Sequence, residues 1–283
     1  MPFAQNKATL CWPNLVDKCT LSSEATFTRP LDRIKARVLK DRAITTDLTC
    51  QFTATLDTDR PVGVVALISH NLSVDAQWRV RIYDAADALL EDSGLVDVWL
   101  PVFSTSELAW EDSNFWSGKP TNEDRARFTP QAIYLAGKNW YVKKIVIDLV
   151  DEANTDGFIQ IGRMFLSNVF QPTYNFAYGI RWGLNDPTEI DKTLDQTEYF
   201  DEQPQTREVT IAFDWISEAE AFSRFFRMRR EVGVSREVLF FHQINVDIRF
   251  TQRTMLARVS QTDPVVHPDA ARHTHSLTLK ELI

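Results

Sequence analysis

Apolar and polar residues alternate with a period of two through much of this chain, and that period commits it to sheets with one covered face. Leu48, Cys50, Phe52, Ala54 and Leu56 alternate with Thr49, Gln51, Thr53 and Thr55, as in a half-buried strand. Trp78, Val80 and Ile82 share one face while Gln77, Arg79 and Arg81 share the other. Val62 to Ile68 is a continuous apolar run broken by His70-Asn71, which predicts a central strand buried on both faces. Val142 to Leu149 and Phe158 to Leu166 read as a strand pair, with Asp156-Gly157 as the turn closing a hairpin. Up to Leu166 the pattern gives roughly seven to nine short strands and little helix. Each one-faced sheet must cover its apolar side with another, so the chain is predicted to be mainly β, with a jelly-roll β-sandwich over residues 1–170.

After Phe170 the character changes. Gln171-Pro172 breaks the pattern, and residues 184–205 form an acidic arm carrying Asp186, Glu189, Asp191, Asp195, Glu198, Asp201 and Glu202; such a run reads as a solvated loop or as an extension toward a neighbouring subunit. Arg207 to Phe213 alternates again. A helix is predicted at about residues 217–231: Ser217 with Glu220 makes a capping box, Phe222, Phe225 and Phe226 make one apolar stripe, and Gly233 supplies the stop. Strands are expected at Val238 to Phe241, Val246 to Phe250, Met255 to Val259 and around Leu277 and Leu279. Residues 171–283 are therefore expected to be a second, β-rich α+β domain with one main helix.

Composition narrows the function. The net charge of −8 argues against a general nucleic-acid surface, which needs a basic stripe. The 18 Phe and 8 Trp favour a packed β core or large subunit contacts. Cys11, Cys19 and Cys50 form no CxxC and are odd in number, so they read as reduced thiols, as in a protein assembled in a cytoplasm. No apolar run approaches the ~20 residues of a membrane span, and the first residues lack the pattern of a signal peptide.

No nucleophile elbow and no Gly-rich phosphate loop is present, and no cofactor is implied. Asp84 with Asp87 and Glu91 with Asp92 are carboxylate pairs of the kind any solvated surface carries. Glu152, Asn154, Asp156 and Gly157 superficially match the start of a calcium loop, but the position that needs a bidentate Glu holds Arg163. His267, His273 and His275 lie near Asp263 and Asp269; they read as a polar loop entering the last strand, with a metal site as the alternative. Arg224, Arg227, Arg229 and Arg230 suit the helix C-terminus and an acidic partner, with Asp191, Asp195, Asp201 and Glu202 of a neighbouring copy as the complementary set. Between Leu100 and Pro130 the periodicity is lost, and Trp110, Phe115 and Trp116 stand in a long loop of the sort that carries contacts.

The segment Val64-Val65-Ala66-Leu67-Ile68-Ser69-His70-Asn71-Leu72-Ser73, followed by Trp78-Arg79-Val80-Arg81-Ile82-Tyr83, resembles the strand-turn-strand core of discoidin-like, galactose-binding-fold jelly rolls of bacteriophage tail proteins. Asp156 to Leu166 is similar to the closing strand of that module, and Arg207-Glu208-Val209, Phe213 to Ala221 and Lys280-Glu281-Leu282 resemble the C-terminal unit of such proteins. The resemblance implies a non-enzymatic tail-tip or baseplate protein of a long, flexible-tailed phage. It would assemble in the host cytoplasm into a ring or trimer between tail tube and central fibre, and reside in the virion. Its partners would be further copies of itself and neighbouring tail proteins, without nucleic acid or membrane insertion. The alternative is a carbohydrate-binding module adsorbing to host glycan through Trp110, Phe115 and Trp116.

Overall fold

The computed structural model describes residues 2–126, 129–193, 195–260, 264–269 and 272–283. It is mainly β, with 48% strand against 10% helix. The chain divides into two compact units: Met1–Gln171 with Leu239–Met255, and Pro172–Val238 with Leu256–Ile283.

The first unit is organised by two long antiparallel strands, Thr49–His70 and Gln131–Val150. Their register shifts between Thr55 and Arg60 and again between Val62 and Val64, so each runs as two segments, and the one nine-stranded ladder they carry divides there into two sheets that share these strands. In one sheet, Thr49 to Thr55 pairs with Val150 to Lys144, flanked by Cys19–Ser23 on one side and Gln77–Tyr83 on the other. In the other, Val64 to Ile68 lies between Leu135 to Gln131 and Ile159–Ser167, with Ala43–Thr45 and Phe27–Arg29 beyond. One core cluster takes Phe52, Leu56, Trp78 and Ile147 from the first sheet and Val65, Leu67, Ile161 and Met164 from the second. That is a jelly-roll sandwich, two inner faces closing over one apolar layer. The Val62 to Ile68 run is buried on both faces as its composition demands: Val65 and Leu67 join the core cluster, and Val64, Ala66 and Ile68 are fully buried as well. Thr9–Cys11 also belongs to this unit, paired on one edge with Val169 and Phe170 and on the other with Leu239, Phe240 and Phe241.

Three expectations need correction here. Val142 to Leu149 and the Phe158 to Leu166 segment are not hairpin partners, because the Thr49–His70 strand pairs with both Gln131–Val150 and Ile159–Ser167. The turn at Gly157 (φ +74°) instead belongs to a connection from one sheet to the other. Val246 to Phe250 is a set of turns: the Asp247 carboxylate accepts from Arg249 N at 2.9 Å, and Asp247 O from Phe250 N at 3.0 Å, a local alternative to the sheet. The Leu239–Met255 segment packs with the first unit rather than the second.

In the second unit Thr206–Ile216 pairs with Arg272–Glu281. Arg181–Asn185 covers the outer edge of the former, while Ala257 to Val259 and Val265–Asp269 pair with opposite ends of the latter. The helix runs over residues 218–232, with a π turn at Ala221–Phe226. Ser217 Oγ caps Glu220 N at 3.2 Å, and Gly233 ends the helix at φ +57°. Its core stripe is Ala221, Phe225, Met228 and Val232, and the Phe225 ring lies 5.1 Å from Phe213 and 5.4 Å from His275. Phe222 and Phe226 do not share that stripe; they are 53% and 51% exposed, one position, hence about 100°, away from it. The acidic arm is ordered as a hairpin, Glu189–Lys192 against Glu198–Asp201.

Candidate binding loop

The excursion from Leu100 to Pro130 is anchored close to both ends. Trp99, buried, donates its indole N–H to the carbonyl of Leu72 at 3.0 Å. Arg125 donates to the same oxygen at 2.9 Å, with its guanidinium 5.6 Å over the Trp99 ring. Lys119 ties the middle of the loop to the Val74 carbonyl (3.1 Å) and the Asp97 carboxylate (2.9 Å), and holds Asp97 below the usual carboxylate range. Gly118, at φ +61°, accepts from Val102 N and Phe103 N at 2.8 and 3.0 Å; a Cβ there would meet Phe103 O at 2.5 Å. The position therefore demands glycine.

Within that closure the backbone is turned by its own polar side chains. Glu107 accepts from Ser104 N at 2.9 Å, and Asp112 from Ala109 N at 2.8 Å. Trp110 and Trp116 emerge from these turns 77% and 90% exposed. Phe115, half-buried, meets Trp116 edge-to-face at a centroid distance of 5.2 Å. The three aromatics singled out in the sequence thus share one ordered loop, and its two indoles offer their faces to an incoming ligand.

Beneath the loop base lies His70, 4% exposed, its ring edge-on to Trp99 at 5.5 Å. Its Nδ1 accepts from Leu72 N at 3.2 Å, which leaves the proton of the neutral ring on Nε2. Burial, followed by the nearby charges of Arg125 and Arg42, pushes its pKa down to about 3. His70 is a neutral structural imidazole over the whole physiological range.

The other residues with catalytic or ligand character are engaged in the fold. Glu91 accepts from the Tyr134 hydroxyl at 2.8 Å, from Gly137 N at 2.9 Å and from the Trp140 indole. Burial and then Glu91 raise the Tyr134 phenol. Asp92 receives Arg79 Nε at 2.8 Å, which with the Gly94 N–H lowers it to about 2. Asp84 accepts from Ala86 N and Ala88 N, and Asp87 pairs with Lys144. In the calcium-like segment Asn154 donates to Asp151 at 2.8 Å and Asp156 accepts from Asn71 at 2.9 Å. Cys11, Cys19 and Cys50 are buried free thiols, and burial pushes Cys19 and Cys50 up to about 12.

In the second unit His267 and His273 stack face to face at 4.4 Å. His275 lies against Phe225, and Asp269 pairs with Arg272. Asp263 lies outside the described residues. Among the described residues no group of three His, Cys, Asp or Glu side chains is placed to hold a metal. Arg224, Arg227 and Arg230 are exposed and Arg229 is half-buried; Arg227 pairs with Glu231 at 2.7 Å. Asp191 and Asp201 stand on the hairpin strands, Asp195 at its tip and Glu202 just after it.

One feature of the first unit escaped sequence reasoning: an apolar groove of about 390 Å³ lined by Phe3, Leu100, Tyr134, Ala136, Val246 and Phe250 among others. Its walls come from distant segments, and no local pattern announces it.

No protein-family model matches the chain, and no curated protein matches it in sequence. Several solved structures are similar over part of it. One is the family 32 carbohydrate-binding module of Clostridium perfringens NanJ in complex with galactose, with TM-score 0.37, 11% identity, and coverage of 57% of this chain and 99% of that one. Another is the lectin domain of lectinolysin complexed with Lewis B antigen, at 0.36, 10%, 55% and 96%. A third is the fucose binding module SpX-3 of Streptococcus pneumoniae, at 0.35, 10%, 56% and 98%.

Proposed function

We propose that the protein is a non-catalytic glycan-binding protein whose first unit offers Trp110, Phe115 and Trp116 to a sugar. The observation that carries this reading is the pair of indoles, 77% and 90% exposed, on a backbone held at Trp99, Gly118, Lys119 and Arg125. An exposed indole costs apolar hydration that only a partner recovers. Aromatic faces stack on the apolar faces of pyranose rings while their polar edges reach the hydroxyls, and a loop already ordered loses little entropy on binding. The engagement of Glu91, Asp92, Asp84 and Asp87 by Tyr134, Arg79, backbone N–H groups and Lys144 supports binding without bond cleavage.

A glycan array probed with the full chain, followed by tryptophan-fluorescence titration of the hits, tests this. Saturable binding that weakens at least tenfold in Trp110→Ala or Trp116→Ala is expected. Folded protein that binds nothing across galactose-, fucose- and N-acetylglucosamine-bearing panels removes the reading.

A second reading, a structural component of a phage tail tip with the loop serving adsorption, is favoured by the acidic hairpin Glu189–Lys192/Glu198–Asp201, all eight residues of which are exposed. Such an arm suits assembly into a ring or trimer between tail tube and central fibre. Mass spectrometry of purified virions decides it: a place in the tail is expected, and absence from virions ends it.

A further inference from the structure

The apolar groove of the first unit runs along a strand edge. Five consecutive residues, Ile133, Tyr134, Leu135, Ala136 and Gly137, line it. Side chains of a strand alternate between its two faces, so a pocket on one face would take every second residue. An unbroken run of five places the groove beside the backbone itself. That backbone has a strand neighbour on one side only: Val64 to Ile68 pairs with Leu135 to Gln131, whereas Gln77–Tyr83 joins the same long strand only at Lys144 to Val150.

Hydrogen-bond alternation gives the direction of each group on this edge. Ser69 N donates to Pro130 O at 2.7 Å, and the register sets Ala132 opposite Leu67 and Tyr134 opposite Val65. Bonded and non-bonded positions alternate along an antiparallel pair. Ala132 and Tyr134 therefore bond the Thr49–His70 strand, while Ile133 and Leu135 turn N–H and C=O toward the groove. Gly137 obeys the same alternation, and its outward N–H donates to the Glu91 carboxylate at 2.9 Å. Among the described residues nothing bonds the outward groups of Ile133 and Leu135.

The remaining lining decides the occupant. Phe3, Leu100, Val246 and Phe250 are apolar, and the nearby carboxylates are engaged, Glu91 by three donors and Asp97 by Lys119 and Gln77. A charged ligand finds no partner there. An acyl chain or other small hydrophobe would cover the apolar wall but leave two N–H and two C=O groups buried without partners. An extended peptide satisfies both, since its backbone continues the ladder and its alternate side chains enter the groove.

We propose that this edge is a docking site for an extended, apolar β-strand segment of another protein, added beside Ile133 to Gly137 over about 13 Å. Glu91, by taking the Gly137 N–H, ends the open row there. The site uses none of Trp110, Phe115 and Trp116 and does not rest on the glycan reading.

Hydrogen exchange of the full chain at single-amide resolution tests it, with the capped peptide Lys-Val-Thr-Val-Thr-Val-Lys as probe at millimolar concentration. In the free chain the Ile133 and Leu135 amides should exchange far faster than those of Ala132 and Tyr134; with the probe they should slow roughly tenfold or more. N-methylation of one alternate set of probe amides should weaken binding at least tenfold, and methylation of the other set should not. Ile133→Pro removes an outward donor and leaves the ladder bonds in place, so it should fold and lose the probe's protection of Leu135. Ile133 and Leu135 amides as slow as their neighbours in the free chain, no added protection by the probe, or indifference to both methylated sets overturns the proposal. Protection that rises with protein concentration in the absence of probe makes a second copy the occupant, and also overturns it.

Discussion

Trp99 and Arg125 donate to one acceptor: the indole N–H and the guanidinium reach the Leu72 carbonyl at 3.0 and 2.9 Å, with the cation 5.6 Å over the ring. This pins residues 26 positions apart in sequence to a single atom, so the aromatic loop between them is tied at both ends to one point. A hydrogen bond from a charged donor contributes about 1.5–3 kcal/mol. Arg125→Met is therefore expected to speed proteolysis within residues 100–130 by roughly tenfold or more, since about 1.4 kcal/mol is a factor of ten in the open population. Limited digestion followed by mass spectrometry reads the cleavage site. The global urea midpoint should move far less, because the sandwich core lies elsewhere.

Trp116→Ala is expected to separate binding from stability. At 90% exposure the indole contributes little to the fold, and its removal should change stability by no more than about 0.5 kcal/mol. Differential scanning calorimetry alongside the glycan titration checks both halves: an unmoved transition with lost binding is expected. A large drop in melting temperature would mean that the side chain has a packing role.

The buried imidazole of His70 makes stability depend on mild acid. Its pKa is about 3 in the fold against an ordinary 6.5, so between those values the unfolded chain binds the proton that the folded one refuses. The contribution of His70 is flat above about pH 6.5 and falls as pH drops toward 3, by up to about 1.4 kcal/mol per pH unit. His242, also lowered by burial and Arg253, adds in the same direction. Asp57 and Asp92, lowered to about 2, act only in the separate window from about 3.8 down to 2. Urea midpoints at pH 7 and pH 5 should differ clearly in wild type, and the difference should shrink in His70→Gln. An unchanged difference would put the effect elsewhere.

Glu91 gathers three donors, from Tyr134, Gly137 and Trp140. Glu91→Ala strands them and is expected to cost about 2–3 kcal/mol, whereas Glu91→Gln, which keeps one acceptor oxygen, should cost less. Chemical denaturation followed by tryptophan emission ranks the two variants.

Face was legible in the sequence where burial is one-sided. Phe52, Ala54 and Leu56, or Trp78, Val80 and Ile82, can point inward only if the strand has the register it has. Partner was not legible: alternation says which side of Val142 to Leu149 is wet, not that Thr49–His70 separates part of its strand from Ile159–Ser167. The helix was found from its cap, but Phe222 and Phe226 obscured its core stripe, in which Phe225 is joined by the smaller Ala221, the flexible Met228 and Val232. At the candidate site, lost periodicity between Leu100 and Pro130 marked a loop, and Trp110, Phe115 and Trp116 marked its contacts. Its anchor went unseen because Leu72 contributes a backbone carbonyl, and every residue has one.

The discontinuity of the first unit has a bearing on how the protein is made. Thr9–Cys11 receives one of its two neighbours only when Leu239, Phe240 and Phe241 arrive, long after the rest of the sandwich has left the ribosome. Until then a strand carrying fully buried Leu10 and Cys11 holds one row of amides and carbonyls open to any passing β-strand. A fragment cut at Gln171 would keep that row open permanently. It should be recovered as aggregate unless a peptide spanning Leu239–Met255 is supplied in trans.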